Sequence, residues 1–186
     1  MSQTYRIRVK NSLRENISLK RKFRKKISLL KILPMEDMGE LMRQELVAVG
    51  WQEDQSEIEH VNGDWSLRFD PITQMLSISY ETQELFEADF DGEVDVYSEN
   101  DSKRMAQNQA TSIAKGRLES EKNQRLEEMN NEFLKRKEEF LIELEGDLNL
   151  KIDQVLNKAL RKKAASLGEV QSIEDTNGEL VIRIKV

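Results

Sequence analysis

At 186 residues, with 38% hydrophobic and 34% charged side chains, the chain is too polar for one large spherical core and fits a modest globular unit with an extension. Absence of cysteine excludes disulfides, thiolate catalysis and cysteine-ligated zinc, and is compatible with a reducing compartment. No run approaches the roughly eighteen apolar residues of a membrane span, and Met1 to Lys10 lacks the apolar stretch of a secretion signal, so no membrane association and a cytoplasmic location are expected.

The net charge of −6 conceals a strong segregation. Residues 1–34 carry eleven Lys/Arg against Glu15 alone, a balance of +10, whereas residues 35–100 carry Arg43 and Arg68 against eighteen acids, a balance of −16. At about 4 Å and an effective dielectric near 20, each close pair of opposite charges gains up to ~4 kcal/mol before desolvation and entropy. Neutralisation of one block by the other is the first explanation of both.

Along the chain, Tyr5, Ile7 and Val9 alternate with Arg6, Arg8 and Lys10, the period of a half-buried strand. Ile17 to Phe23 and Ile27 to Leu33 alternate again and predict a hairpin turning around Arg24 to Lys26; no Gly or Asn marks its turn, which leaves a helix as the alternative. After Pro34, the residues Met38, Leu41, Met42, Leu46 and Val47 recur at helical spacing until Gly50, predicting a helix over 35–49 with a glycine cap. Trp65, Leu67 and Phe69 alternate, Asp70-Pro71 supplies a turn, and Leu76, Ile78 and Tyr80 alternate with Met75, Ser77 and Ser79, which predicts a second hairpin. Leu85 to Asp91 continue the alternation with one acidic face, and Val94 and Val96 extend it.

From Asp101 to Leu167 there is no proline and only Gly116 and Gly146, so these 67 residues read as helix, about 100 Å if unbroken. Apolar residues at Ile113, Leu118, Leu126, Met129, Phe133, Phe140, Leu144, Leu148, Ile152, Val155 and Ala159 form a narrow stripe of the coiled-coil kind. Its four-residue steps drift from a heptad, and Gly146-Asp147 offers a place to fold back, so a continuous dimerising helix and a bent pair both stand. After Gly168, alternation on both sides of Asn177-Gly178 predicts a hairpin with a type I′ turn. Two strands alone are marginal in water, so it is expected to pack on the sheet or on the end of the helix. The fold class that follows is α+β. A small, mainly antiparallel β-sheet head (1–100) carries the short helix 35–49. A long charged helical arm (101–167), straight or a helical hairpin, comes next, and a C-terminal β-hairpin (168–186) closes the chain.

Few residues offer chemistry. Lys20, Arg21, Lys22, Phe23, Arg24, Lys25 and Lys26 combine six cations with one aromatic, which suits phosphates and a stacked base. The acidic balance of the chain and the absence of a nucleic-acid module rank that use below a charged hairpin facing its own acidic neighbour or a protein. Glu87 to Asp95 partly follows a calcium loop, but Ser98 stands where the bidentate Glu belongs, so an acidic turn between strands is the expectation. His60, the single histidine, has Ser56 and Asp64 nearby in sequence but no glycine-rich oxyanion loop, and the eight glycines are scattered singly with no phosphate cradle. No catalytic residue, cofactor or metal ligand is assigned. Trp51 and Trp65 are expected to anchor the core.

The opening strand YRIRV (5–9), the run SLLKILP (28–34) and the helix Met38 to Gly50, with Leu41, Glu45-Leu46 and Gly50-Trp51 at its close, resemble an accessory-domain family of bacterial ternary systems. Those systems combine an FtsH-type AAA+ ATPase, a von Willebrand A protein and a MoxR-type ATPase. The long helix, Gly168-Glu-Val and the Asn-Gly hairpin are similar to the tail of a plastid and cyanobacterial family of unknown function. The first resemblance implies a non-enzymatic adaptor or assembly subunit whose partner is an AAA+ or MoxR-type ATPase. The candidate partner-binding residues are then Lys20 to Lys26 together with Leu126, Met129, Phe133, Phe140 and Leu144, through which the arm would also form a homo-oligomer. A nucleic-acid-binding protein and a purely structural coiled-coil subunit are the alternatives.

Overall fold

The computed structural model describes residues 5–96, 101–176 and 179–185, except for the side chains at 5, 96, 101–103, 175–176 and 179–180. The elements run β1 (Tyr5–Lys26), α1 (Met35–Ala48), β2 (Gln52–Asp54), β3 (Glu57–Asn62), β4 (Trp65–Asp70), β5 (Met75–Val96), α2 (Asp101–Leu167), β6 (Glu169–Thr176) and β7 (Glu179–Lys185). Five strands form one sheet in the order β1-β5-β4-β3-β2, and β6 and β7 form a second sheet by themselves. The class is α+β.

Two sequence expectations change, and one open alternative is settled. The hairpin around Arg24 to Lys26 is absent, because β1 continues through these residues as one 22-residue strand and residues 27–33 contain no strand. Without a turn-forming residue at 24–26, the backbone stays extended, and the Ile27 N–H still reaches the Gln74 carbonyl at 2.9 Å. The acidic turn at Glu87 to Asp95 is likewise absent, since β5 is also a 22-residue strand that passes straight through it. Finally, α2 is a single helix of 67 residues that crosses Gly146 without a break, so the arm is not a helical hairpin.

The chain divides into two compact units, Met1–Leu19 with Glu81–Arg136 and Lys20–Tyr80 with Lys137–Val186. In the first unit, β1 and β5 form an antiparallel ribbon. The ion pairs Arg6–Asp95, Arg8–Glu93 and Arg14–Glu87 show the register, since one number falls as the other rises by the same amount. All three arginines share one exposed face, while Ile7, Val9 and Leu13 alternate on the other. That second face meets α2. Gly92 lies so close to Ala110 that a Cβ would stand 1.8 Å from its carbonyl oxygen, and Ala106, Ala110 and Ala114 are buried along the same helical stripe. Lys122 pairs with Glu15 of β1, and Arg125 grips Glu84 of β5 through three N···O contacts of 2.6–3.1 Å.

In the second unit, β4 carries Trp65, Leu67 and Phe69 inward at 7%, 2% and 0% exposure, opposite Tyr80, Ile78 and Leu76 of β5 in register. The β4–β5 turn is held by the Asp70 carboxylate, which accepts from the Ile72 N–H at 2.9 Å and the Thr73 N–H at 3.3 Å. These hydrogen bonds, that of the Thr73 hydroxyl first, keep the Asp70 carboxyl below its ordinary pKa. Helix α1 starts after Pro34 with Glu36 and Asp37 in its first turn, where the helix dipole favours acids. It ends in a Schellman arrangement: Gly50 N–H to Val47 O at 3.0 Å, Trp51 N–H to Leu46 O at 3.2 Å, and Gly50 at φ +95°, a backbone angle that suits glycine. Its buried face, Met38, Met42 and Leu46, completes the core with Ile58 and the inward residues of β4 and β5. Gly39 abuts Pro71, where a Cβ would be 2.0 Å from the carbonyl oxygen.

The part of α2 in this unit is fixed to α1 by Lys158–Glu45 and by Lys162–Asp37 at 3.0 Å. The predicted C-terminal hairpin pairs from Glu169↔Lys185 to Thr176↔Glu179 with an irregularity between Val170 and Ser172. Its Asn177-Gly178 turn lies outside the described residues.

Candidate functional site

The basic run does not present its residues together. Alternation along β1 sends Lys22, Arg24 and Lys26 to the exposed face, with no ion pair among the described residues, while Phe23 and Lys25 point to the opposite side. Lys25 pairs with Glu145 of α2. Phe23 meets the edge of Trp65, with centroids 6.4 Å apart at 80°, and the Lys137 ammonium sits 5.2 Å from its ring centre. The one aromatic of the run is therefore occupied within its own unit. Lys20 and Arg21 are engaged as well, Arg21 donating to the Lys20 carbonyl at 3.1 Å.

The α2 stripe is also used internally. Met129 and Phe133 are 4% exposed and Leu144 7%, while Leu126 and Phe140 are half-buried. Phe140 lies flat on Trp65, with centroids 4.2 Å apart and planes within 1°, and Tyr80 is 4.8 Å from the same indole. The side chains expected to bind a partner or a second copy thus help to form the cores that hold α2 in place. Trp51 and Trp65, at 8% and 7% exposure, take the expected anchoring role.

The charge blocks meet as ladders. Glu87, Asp91, Glu93 and Asp95 share the outer face of β5, about 6.5–7 Å between successive same-face positions, each facing arginine on β1: Arg14–Glu87 at 2.6 Å, Arg8–Asp91 at 3.9 Å, Arg8–Glu93, and Arg6–Asp95 at 3.0 Å. Extended backbone cannot bring these carboxylates together around one ion, and no cluster suited to a metal occurs among the described residues. The arginines are 58–74% exposed, so solvent screens each pair and the ladder serves register and solubility more than stability. Arg125 differs. Its bidentate hydrogen bonds hold the Glu84 carboxyl below its ordinary pKa and raise its own, with Glu128 accepting a further bond at 2.9 Å.

Sequence reasoning missed the pairing of Trp51 with His60. Their rings stack with centroids 5.3 Å apart and planes 20° from parallel, so His60 forms part of an apolar wall. No helix among the described residues is long and apolar enough to cross a membrane.

Over residues 1–186 the sequence matches the family described as FtsH ternary system domain X5. The chain belongs to that family. The match extends the resemblance carried by the opening strand, the run 28–34 and the helix closing at Gly50-Trp51 to the whole chain, so both compact units of the X5 domain fall within it. No curated protein and no solved structure is significantly similar to this X5 domain.

Proposed function

We propose that this X5 domain is a non-enzymatic adaptor or assembly subunit that acts in the cytoplasm by docking on a protein of its ternary system, an FtsH-type AAA+ or MoxR-type ATPase. The observation that carries this is the whole-length match to a domain of the FtsH ternary system. Two structural facts support it. The α2 stripe and Phe23 are committed to internal packing, which removes the seam a coiled-coil subunit needs and the aromatic a base-stacking surface needs. The strip Lys22, Arg24 and Lys26 on the exposed face of an edge strand suits electrostatic steering of an acidic partner and also discourages strand-to-strand aggregation. Affinity purification of the tagged protein from its native host tests the proposal. Near-stoichiometric recovery of one of the two ATPases is the expected result, and its absence under gentle lysis at low salt counts against the role.

A further inference from the structure

A cavity of about 350 Å³ opens within the second unit, at the lower end of the size range of ligand sites. Leu46 of α1, Leu67 of β4, and Leu144 and Leu148 of α2 form its floor, and the Trp51–His60 stack forms one flat side. Around the mouth, Val49 is 50% and Leu150 63% exposed, so apolar surface continues outward beyond the cavity itself. Glu143 and Asp147 stand on the rim one helical turn apart, with no hydrogen bond or ion pair among the described residues. Lys151, a further turn along, donates to Gln154 at 2.9 Å.

We infer that this cavity is the docking pocket for a partner segment that presents one bulky apolar side chain beside a lysine or arginine. The inference rests on the docking function proposed above and gives it a location. The apolar floor takes the side chain, the continuing apolar mouth takes the flanking chain, and the two rim carboxylates take the cation. Lys151 keeps its charge, since Gln154 is neutral, so Glu143, Asp147 and Lys151 leave the rim one negative charge in excess, which disfavours an acidic segment. A purely apolar one would cover Glu143 and Asp147 without offering them a partner, which costs desolvation. Apolar surface outside the cavity favours an extended occupant over a small molecule contained within it.

Synthetic peptides test this on the full-length protein, with the Trp51 indole NMR signal as the readout and the Trp65 signal as the comparison. Peptides with a central Leu or Phe flanked by Lys should shift the Trp51 signal saturably, and the same peptides with a central Ser should not. Replacing the Lys flanks by Glu should weaken binding roughly three- to tenfold, as expected for two exposed ion pairs. Glu143→Lys with Asp147→Lys, both at exposed helical positions, should reverse that preference. Absence of a Trp51 shift with the Leu/Lys peptides, equal shifts with the Ser peptides, or a charge preference untouched by the reversal would each overturn the pocket. The adaptor role is judged separately by ATPase recovery: peptide binding without recovery removes the role and leaves the pocket, and recovery without peptide binding does the opposite.

Discussion

Replacing Gly92 by alanine places a methyl group where β5 and α2 come closest. The added Cβ would stand 1.8 Å from the Ala110 carbonyl oxygen and 2.6 Å from its carbonyl carbon, against a practical minimum of 3.0 Å, so strand and helix must separate by at least 1.2 Å (3.0 less 1.8). A gap of about 1 Å forfeits a quarter to a half of the dispersion energy of each contact it opens, and the contacts at risk are those of Ala106, Ala110 and Ala114, all 5% exposed or less. Overpacking costs about 1–3 kcal/mol, and a clash with backbone, which cannot turn aside, falls in the upper part of that range, about 2–3 kcal/mol, offset by the roughly 0.5–1 kcal/mol that alanine gains over glycine in a strand. The net loss is then about 1–2.5 kcal/mol. With a urea slope of about 2 kcal/mol/M, the unfolding midpoint followed by far-ultraviolet circular dichroism should fall by roughly 0.5–1.3 M. Because the clash is with a backbone oxygen, Ala110→Gly should not rescue it. An unchanged or raised midpoint would refute the close approach of β5 to α2 in this unit.

Gly116 sits in the same helix with nothing within 4 Å of an added Cβ, so Gly116→Ala should raise stability by about 1 kcal/mol in the same urea titration. Lys158→Met removes the ion-pair partner of the Glu45 carboxylate, whose side chain is 8% exposed, and should cost about 1–3 kcal/mol, read from tryptophan fluorescence in urea. Glu84 has a lowered folded-state pKa through its hydrogen bond to Arg125, so its contribution is present above the ordinary Glu value of about 4.3 and is lost as pH falls through the folded value. Arg125→Ala should therefore be less stable near neutral pH, and its urea midpoint should change less between pH 5 and strongly acidic solution. If an ATPase of the ternary system is recovered with the protein, Lys22→Glu, Arg24→Glu and Lys26→Glu together should slow its association in low salt, by stopped flow, with the difference shrinking as salt rises.

The bounds of α2 were legible because their signal is local, 67 residues without proline; its continuity through Gly146 was not, since a glycine costs only about 1 kcal/mol in a helix and its neighbours decide whether the helix carries it. The Gly50 cap and the Trp65–Tyr80 hairpin were legible from local signals as well. The lengths of β1 and β5 were not. Residues 10–16 lack a clean apolar alternation, and their extended state is set by partners on β5 more than seventy positions away in sequence, Arg14 with Glu87 among them. That long-range pairing also turned an apparent acidic turn into a strand face. On the site, the composition of the basic run was visible, but its division between two faces followed only from the continuity of β1. The Trp51–His60 wall depended on the path from α1 into β3, which no local spacing reveals.

Both compact units draw on β1, β5 and α2, and the backbone passes from one unit to the other inside each of these elements, after Leu19, Tyr80 and Arg136. Neither unit is therefore a single uninterrupted stretch of the polypeptide. A cut after Tyr80 leaves both units incomplete, while removal of 1–19 strips the first and removal of 137–186 strips the second, so no truncation yields either unit alone, and function is best dissected by point substitution in the intact chain.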